Sequence, residues 1–412
     1  MRYVTHLECI VCKRRYPPDP DKYLCTCGGL LEVAYDYLRL SREWDRMSLA
    51  HSADYSMWRY RPLLPVRGDI RPPLRVGWTP LYQCPRLAED LGLKDSLWLK
   101  DDGLNPTGSL KDRASALAVA KAREAGASTI ACSSTGNAAS SLAGNVASLG
   151  GGMQAVIFVP KRAPQGKLAQ LLIFGAKVIS VQGNYREAYE LSAAAIQRWG
   201  WYNRNAAINP YLVEGKKTAV LELAEQLHWQ MPDWLVLTVG DGCTMAGAGK
   251  ALRDLWSIGF IDKVPRLIGV QAAGCAPIYR AWARGEQLIP ADENTLADSI
   301  AVGVPRNPDK ALAAVRDTQG VMVTVEDAEI LEAMKLLGRS SGVFAEPASA
   351  AGVAGLKRLV AQGTVAPWHT VALISTGNGL KDTANALKAA GQALKIEPDL
   401  DKLAAYLEGE TP

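Results

Sequence analysis

No stretch of this chain approaches the roughly 20 consecutive apolar residues needed to cross a bilayer. Its first ten residues, MRYVTHLECI, lack the apolar centre of a secretory leader. Charge of one sign is missing too: the formal net charge is +4, with no basic run or stripe of the kind that follows nucleic-acid phosphates. Nor is there a disulfide framework. Cys9, Cys12, Cys25 and Cys27 crowd near the N-terminus, while Cys84, Cys132, Cys243 and Cys275 stand singly in apolar or glycine-rich segments. These absences predict a cytoplasmic protein acting on a small molecule, with neither nucleic acid nor membrane as partner.

What is present is ordinary in bulk and specific in detail. With 412 residues, 48% apolar and 21% charged, the chain has the profile of a soluble globular protein of two or three packed units. Residues 1–75 stand apart, holding the cysteine pairs, many aromatics and a Pro/Arg-rich passage over 59–73 that reads as an extended arm and linker. From Val76 onward short apolar runs (130–132, 155–159, 178–181, 234–239, 267–270, 321–325, 371–374) alternate with alanine-rich segments of helical spacing. After Gly136, for example, Ala138, Leu142, Val146 and Leu149 fall on one face. Strand alternating with helix predicts an α/β fold with parallel sheets covered on both faces.

The most informative stretch is Asn105-Pro106-Thr107-Gly108-Ser109-Leu110-Lys111-Asp112-Arg113. Pro and Gly break the chain, Ser109 is an expected N-cap, and the alanine-rich run from Ala114 propagates a helix. Lys111 then lies in the first turn, where the helix dipole opposes its charge and favours the neutral amine that a Schiff base requires. A surface lysine offset by Asp112 is the plainer alternative.

Three small-residue turns could complete a site. Ser133-Ser134-Thr135-Gly136-Asn137 joins a strand to a helix and suits a substrate carboxylate, with Asn137 able to donate to a ring oxygen. Gly240-Asp241-Gly242-Cys243-Thr244 is a second such turn. It lacks both the Gly-Lys-Ser/Thr close of a nucleotide loop and the third glycine of a dinucleotide fingerprint, which leaves a cradle for one terminal phosphate. At Cys243 the dipole is expected to lower the thiol pKa, though small size is a simpler reason for its presence. In Ser375-Thr376-Gly377-Asn378-Gly379 a hydroxyl can meet a pyridine nitrogen, which favours elimination and replacement over transamination. Glu346-Pro347 is expected to cap the helix that follows.

Taken in order, NPTGSLKDR, SSTGNAA, VGDGCT, FAEPASAAG and STGNGLKD resemble the threonine-synthase branch of the fold-type II pyridoxal-phosphate enzymes, over about three quarters of the chain. The resemblance implies two three-layer α/β/α domains with mostly parallel sheets and a cofactor between them. The large one would take 76–110 and 238–395, and the small one, with the Asn137 loop, 111–237. Residues 1–75 would be a ribbon-like extension. Lys111 would bind pyridoxal 5′-phosphate covalently and act as base and acid. Asn137 would meet the cofactor's ring oxygen, Gly240, Asp241, Gly242, Cys243 and Thr244 its phosphate, and Thr376 its ring nitrogen. Ser134, Thr135, Gly136 and Asn137 would hold the substrate. The activity implied is conversion of O-phospho-L-homoserine and water to L-threonine and phosphate, in a homodimer.

Several relatives carry an arginine for the substrate phosphate just before the position of Glu214, where this chain reads 206–213 as AAINPYLV, with Leu212 in the arginine's place. Lys216 and Lys217 follow and are candidate substitutes. The departure keeps open a β-eliminating or β-replacing relative, such as a serine/threonine dehydratase, a diaminopropionate ammonia-lyase or a cysteate-synthase-like enzyme. Finally, Cys9-x-x-Cys12 and Cys25-x-Cys27 look like two knuckles of a zinc ribbon, the second one residue short of the usual spacing. A ribbon without metal is the alternative.

Overall fold

The computed structural model describes residues 1–94, 97–161, 165–205 and 208–408. Three sheets organise them. A ribbon of β1 (Val4–Cys9), β2 (Arg15–Tyr16) and β3 (Leu31–Tyr35) is antiparallel in the order β2-β1-β3. Next in the chain come β4 (Leu81–Gln83) and β5 (Leu97–Asp101), then β6 (Thr129–Ser133), β7 (Gln154–Pro160), β8 (Lys177–Val181) and β9 (Tyr202–Asn203). The last strands are β10 (Trp234–Thr238), β11 (Arg266–Ala272), β12 (Val321–Val325) and β13 (Val371–Ser375).

These form a six-stranded sheet, β12-β11-β10-β13-β5-β4, and a four-stranded sheet, β8-β7-β6-β9. All of their pairings are parallel except β4 with β5. In the large sheet Leu99, Leu373, Val236 and Ile268 stand in register across four strands. Strands such as WLVLT and VALIS are apolar throughout because both faces are covered. Val236, Ile268 and Leu373 pack toward the helices Asp327–Ser341 and Pro347–Ala361, while Leu235, Leu237 and Ile374 pack toward Tyr211–Gln226 and Cys243–Ser257. The smaller sheet is covered by Lys111–Glu124 and Asn137–Ala147 on one face and by Tyr185–Trp199 on the other.

The 59–73 passage is not a loose linker at its start. Met57–Leu63 forms a 3₁₀ turn that buries Trp58, Arg59 and Tyr60, and Arg59 pairs with Glu225 at 2.6 Å. The ribbon likewise shares one apolar cluster with the large sheet, joining Leu7, Leu31 and Val33 to Leu223 and Leu252.

Candidate active site

Lys111 is the first residue of the helix Lys111–Glu124, but Ser109 does not cap it. The Ser109 hydroxyl is buried without a partner, and Leu110 occupies the cap position with no side-chain bond. The turn is fixed from elsewhere. Asp112 accepts from the Thr107 N–H at 2.8 Å and from Asn145 at 3.0 Å. The Leu110 N–H donates to the Thr376 carbonyl at 2.8 Å, and the Asn378 N–H to the Gly108 carbonyl at 3.0 Å. The lysine loop and the STGNG loop are thus tied together by backbone bonds, which sets Thr376 beside Lys111.

Behind Lys111 the helix is anchored by a closed ion network. Arg113 donates to Asp102 at 2.7 Å and to Glu222 at 2.6 Å, and Lys100 reaches Glu222 at 2.9 Å, all fully buried. Coulomb attraction from Arg113 and Lys100 overcomes the cost of burial and holds the Glu222 carboxyl down at about 2.

The cleft lies at the carboxyl ends of β6, β10 and β13, the usual ligand position in α/β sheets. Its volume is about 160 Å³, and Lys111, Ser134, Gly240, Asp241, Gly242, Cys243, Thr244 and Thr376 all line it. Thr135, Gly136 and Asn137 line an adjoining recess that meets the cleft at Ser299. There the Asn137 amide donates to the Glu346 carboxylate at 2.9 Å and to the Ser299 hydroxyl at 3.3 Å. Glu346 stands at the cap position of Pro347–Ala361, yet its carboxylate bonds Asn137 and Ser299 in place of the helix N–H groups. Burial raises its pKa.

Burial is the leading influence on both Lys111 and Cys243, and it bears out the direction expected for the first and reverses that for the second. Lys111 is pushed down to about 8, and the largest cause is burial, followed by the positive charge of Lys216. Cys243 is not lowered: burial raises its thiol pKa.

Of the further cations in the cleft, the sequence points to Lys216 but not to Arg204 or Arg306. Arg204, just past β9, and Lys216 both line it, as does Arg306, which stacks over the Tyr189 ring at 4.0 Å. Arg204 is buried and its guanidinium bonds only the Ser115 hydroxyl, at 2.9 Å and 3.1 Å, with no carboxylate partner among the described residues. Leu212, in the position where an arginine was sought, packs into the core beside Val119 and Leu142. Ala206 and Ala207 lie outside the described residues. Lys217 turns away from the cleft and pairs with Glu214 at 2.5 Å and Asp254 at 2.6 Å. A weak signal for Arg204 existed: an arginine between two asparagines directly after a strand.

Among the described residues, Lys111, Arg204, Lys216 and Arg306 line this cleft with one carboxylate, Asp241, while Glu346 acts on Lys111 from the adjoining recess. Two donors in the cleft, the Ser133 hydroxyl and the Asn205 amide, are buried without partners among the described residues. No side chain caps the helix Cys243–Ser257, and Gly242, at φ +89° and packed against the Asn307 carbonyl, opens its N-terminus. This donor set fits a phosphorylated aldehyde with room for further anionic groups.

Residues 73–377 match the family model described as pyridoxal-phosphate dependent enzyme. The chain belongs to that family, and within it to the threonine synthases. It is 39% identical to a threonine synthase of Methanocaldococcus jannaschii over 97% of this chain and 99% of that one. It is 39% identical to that of Methanosarcina acetivorans over 98% and 99%, and 40% identical to that of Synechocystis over 84% and 88%. Among solved structures, a tomato threonine deaminase superposes with a TM-score of 0.67 at 20% identity, over 88% of this chain and 95% of that one. Diaminopropionate ammonia lyase of Escherichia coli gives 0.66 at 21%, over 82% and 93%. At such identities these two bear on the fold alone, which is that of the fold-type II pyridoxal-phosphate enzymes.

Proposed function

We propose that the protein converts O-phospho-L-homoserine and water to L-threonine and phosphate, using pyridoxal 5′-phosphate bound through Lys111. The observation that carries the substrate is the excess of cations in the cleft. A neutral amino acid such as serine or threonine brings one carboxylate, whereas the phospho-substrate brings a carboxylate and a dianion. The uncapped turn Gly240–Thr244 holds the cofactor phosphate. Arg204 and Lys216, with Arg306, hold that of the substrate, in place of the arginine that the sequence lacks at Leu212. Ser134, Thr135 and Gly136 take the substrate carboxylate, Asn137 the cofactor's ring oxygen and Thr376 its ring nitrogen.

When bound, the cofactor supplies an electron sink conjugated to the substrate's α-carbon. The remaining work belongs to side chains. The Lys111 amine would take protons from the α and β carbons and return one to the γ carbon after phosphate leaves and one to the α carbon at the end, while the second proton of the added water departs with the released phosphate. Arg204 and Lys216 stabilise the departing phosphate, and water adds at the β carbon. Thr376, a hydroxyl bonded to Ser349 at 3.0 Å, leaves the ring nitrogen without a carboxylate partner, which suits elimination and replacement.

The reading extends to a cytoplasmic homodimer. It divides the chain into 1–75, 76–110 with 238–395, and 111–237, except that β10 (Trp234–Thr238) belongs to the large sheet and moves the last boundary back to its start, and it takes zinc as occupant of the four ribbon cysteines. In support of a water-soluble setting, no helix among the described residues is long and apolar enough to cross a membrane. The test is the absorption spectrum of the purified protein together with a product assay. A yellow protein releasing phosphate and threonine from O-phospho-L-homoserine, colourless as Lys111→Ala, is expected. A protein that cannot be loaded with the cofactor, or that is yellow and inert toward this substrate, overturns it.

A further inference from the structure

The Sγ atoms of Cys9, Cys12, Cys25 and Cys27 all lie within 4.8 Å of one another, Cys9 and Cys25 buried, Cys12 and Cys27 exposed. The separations are 3.6 Å for Cys9–Cys27 and 3.5 Å for both Cys12–Cys25 and Cys12–Cys27. Sulfurs at about 2.3 Å from a tetrahedral zinc stand about 3.8 Å apart, whereas a disulfide requires about 2 Å. The backbone is shaped around the same point. The Lys13 N–H returns to the Cys9 carbonyl at 3.1 Å, and the Gly28 N–H to the Cys25 carbonyl at 2.9 Å, which closes two tight knuckles. Gly29 gives the sulfurs room, since a Cβ there would stand 2.7 Å from Cys9 Sγ.

The ribbon reaches the cleft through four consecutive residues of the helix Tyr211–Gln226. Glu214 accepts from the hydroxyl of Tyr35, the last residue of β3, at 2.6 Å. Lys217 stands on the same side, 3.3 Å from that hydroxyl. Gly215 packs against the backbone of Arg113 and Ala114, just beyond Lys111 in its helix. Lys216 enters the cleft. The helix that carries the phosphate turn is held from the same side. Tyr37 donates to Asp254 at 2.6 Å, and a Cβ on Gly247 would stand 3.2 Å from that of Lys216. Lys310, in the helix Pro308–Asp317, donates to the Leu31 carbonyl at 2.6 Å.

We infer that zinc in the four-cysteine cage clamps the ribbon against the helix Tyr211–Gln226 and thereby sets how firmly the cleft retains its cofactor. The inference rests on the zinc and cofactor readings above. A small ribbon has little core of its own, so metal binding supplies its folding free energy. Without the metal, β3 loosens, Tyr35 releases Glu214, and the helix that spaces Lys111 from Lys216 loses its outer support. Tyr35 is a positioning residue here.

The test uses the intact holoenzyme. Metal content is read by mass spectrometry, and cofactor release by decay of the visible band after dilution into a carbonyl scavenger. One zinc per chain is expected, absent from Cys12→Ser/Cys27→Ser. Chelation should accelerate cofactor release about tenfold, and added zinc should reverse the effect. Tyr35→Phe should keep its zinc and remain folded, with a modest loss of thermal stability because Lys217 still pairs with Glu214, yet release cofactor several-fold faster at temperatures where it is fully folded. Should the double cysteine variant fail to fold, chelation and Tyr35→Phe carry the test. A chain that takes up no zinc even after dialysis against it overturns the inference. So does a zinc-bearing enzyme whose cofactor release ignores both chelation and Tyr35→Phe. A wild-type protein that cannot be coloured at all overturns the cofactor reading together with the coupling, and its zinc content then stands alone.

Discussion

The protein buries positive charge in two regions that face each other across the lysine helix, and it treats them differently. On the far side, Arg113 and Lys100 are matched by Asp102 and Glu222 within ordinary hydrogen-bond distance. On the cleft side, buried Arg204 and Lys216 and half-buried Lys111 and Arg306 outnumber the carboxylates, Asp241 in the cleft and Glu346 beside it. The first region is complete as it stands, a structural anchor. The second is incomplete, because buried cations that outnumber their counter-ions are costly unless something anionic arrives. The difference teaches that an unbalanced buried charge marks a ligand site more surely than the presence of charge does.

Breaking each region should have opposite signatures. The largest effect belongs to Lys111→Ala, which should remove both the visible band and all detectable threonine formation, as read by spectrum and product assay. Next is Arg113→Met, which strands Asp102 and Glu222. It should cost about 3–5 kcal/mol of stability in urea unfolding, with loss of activity following loss of fold. Arg204→Met should do the reverse. It removes a charge that has no carboxylate to strand, so the cofactor-free protein keeps or slightly gains thermal stability. The KM for the phospho-substrate should rise about 10- to 100-fold, in line with the loss of one or two charge-assisted hydrogen bonds.

The smallest effect sharpens the comparison through pH. The Lys111 pKa is lowered to about 8 in the fold, from an ordinary lysine value. The folded chain therefore binds that proton less tightly than the unfolded chain does. Its stability contribution is present above the ordinary lysine pKa and is lost as pH falls through about 8. In the cofactor-free protein, stability should rise modestly over that interval. The rate of reloading with cofactor should climb through pH 8 as the neutral amine appears, followed by growth of the visible band. A flat profile would show that Lys111 is not the desolvated amine described.

Much of the site was legible because local signals coincide with chemistry. Ser134, the Gly240–Thr244 turn and Thr376 follow apolar runs and so read as strand ends, while Lys111 reads as a helix start because Pro106 and Gly108 precede it and an alanine-rich run follows. The order of strands within a sheet was not legible, since neighbours such as β13 and β5 are far apart in sequence. The same long-range closure hid Arg204, which reaches the cleft only because β9 pairs with β6 at the sheet edge. It also made Leu212 misleading: an arginine was sought at one position in the chain, whereas the cleft is supplied from the preceding strand end. Ser109 and Glu346 were misread for a related reason. Cap residues were assigned from local preference, but contacts from the STGNG loop and from Asn137 outcompete the cap geometry.

Whether the cleft cations receive the phosphate of the substrate is tested by competition with inorganic phosphate. The inhibition constant of phosphate against O-phospho-L-homoserine would be measured on the holoenzyme and on Arg204→Met, with the visible band confirming equal cofactor content. Competitive inhibition is expected in the wild type, with a constant at least tenfold weaker in the variant. Phosphate that inhibits both proteins equally, or neither, would contradict that role of the cations.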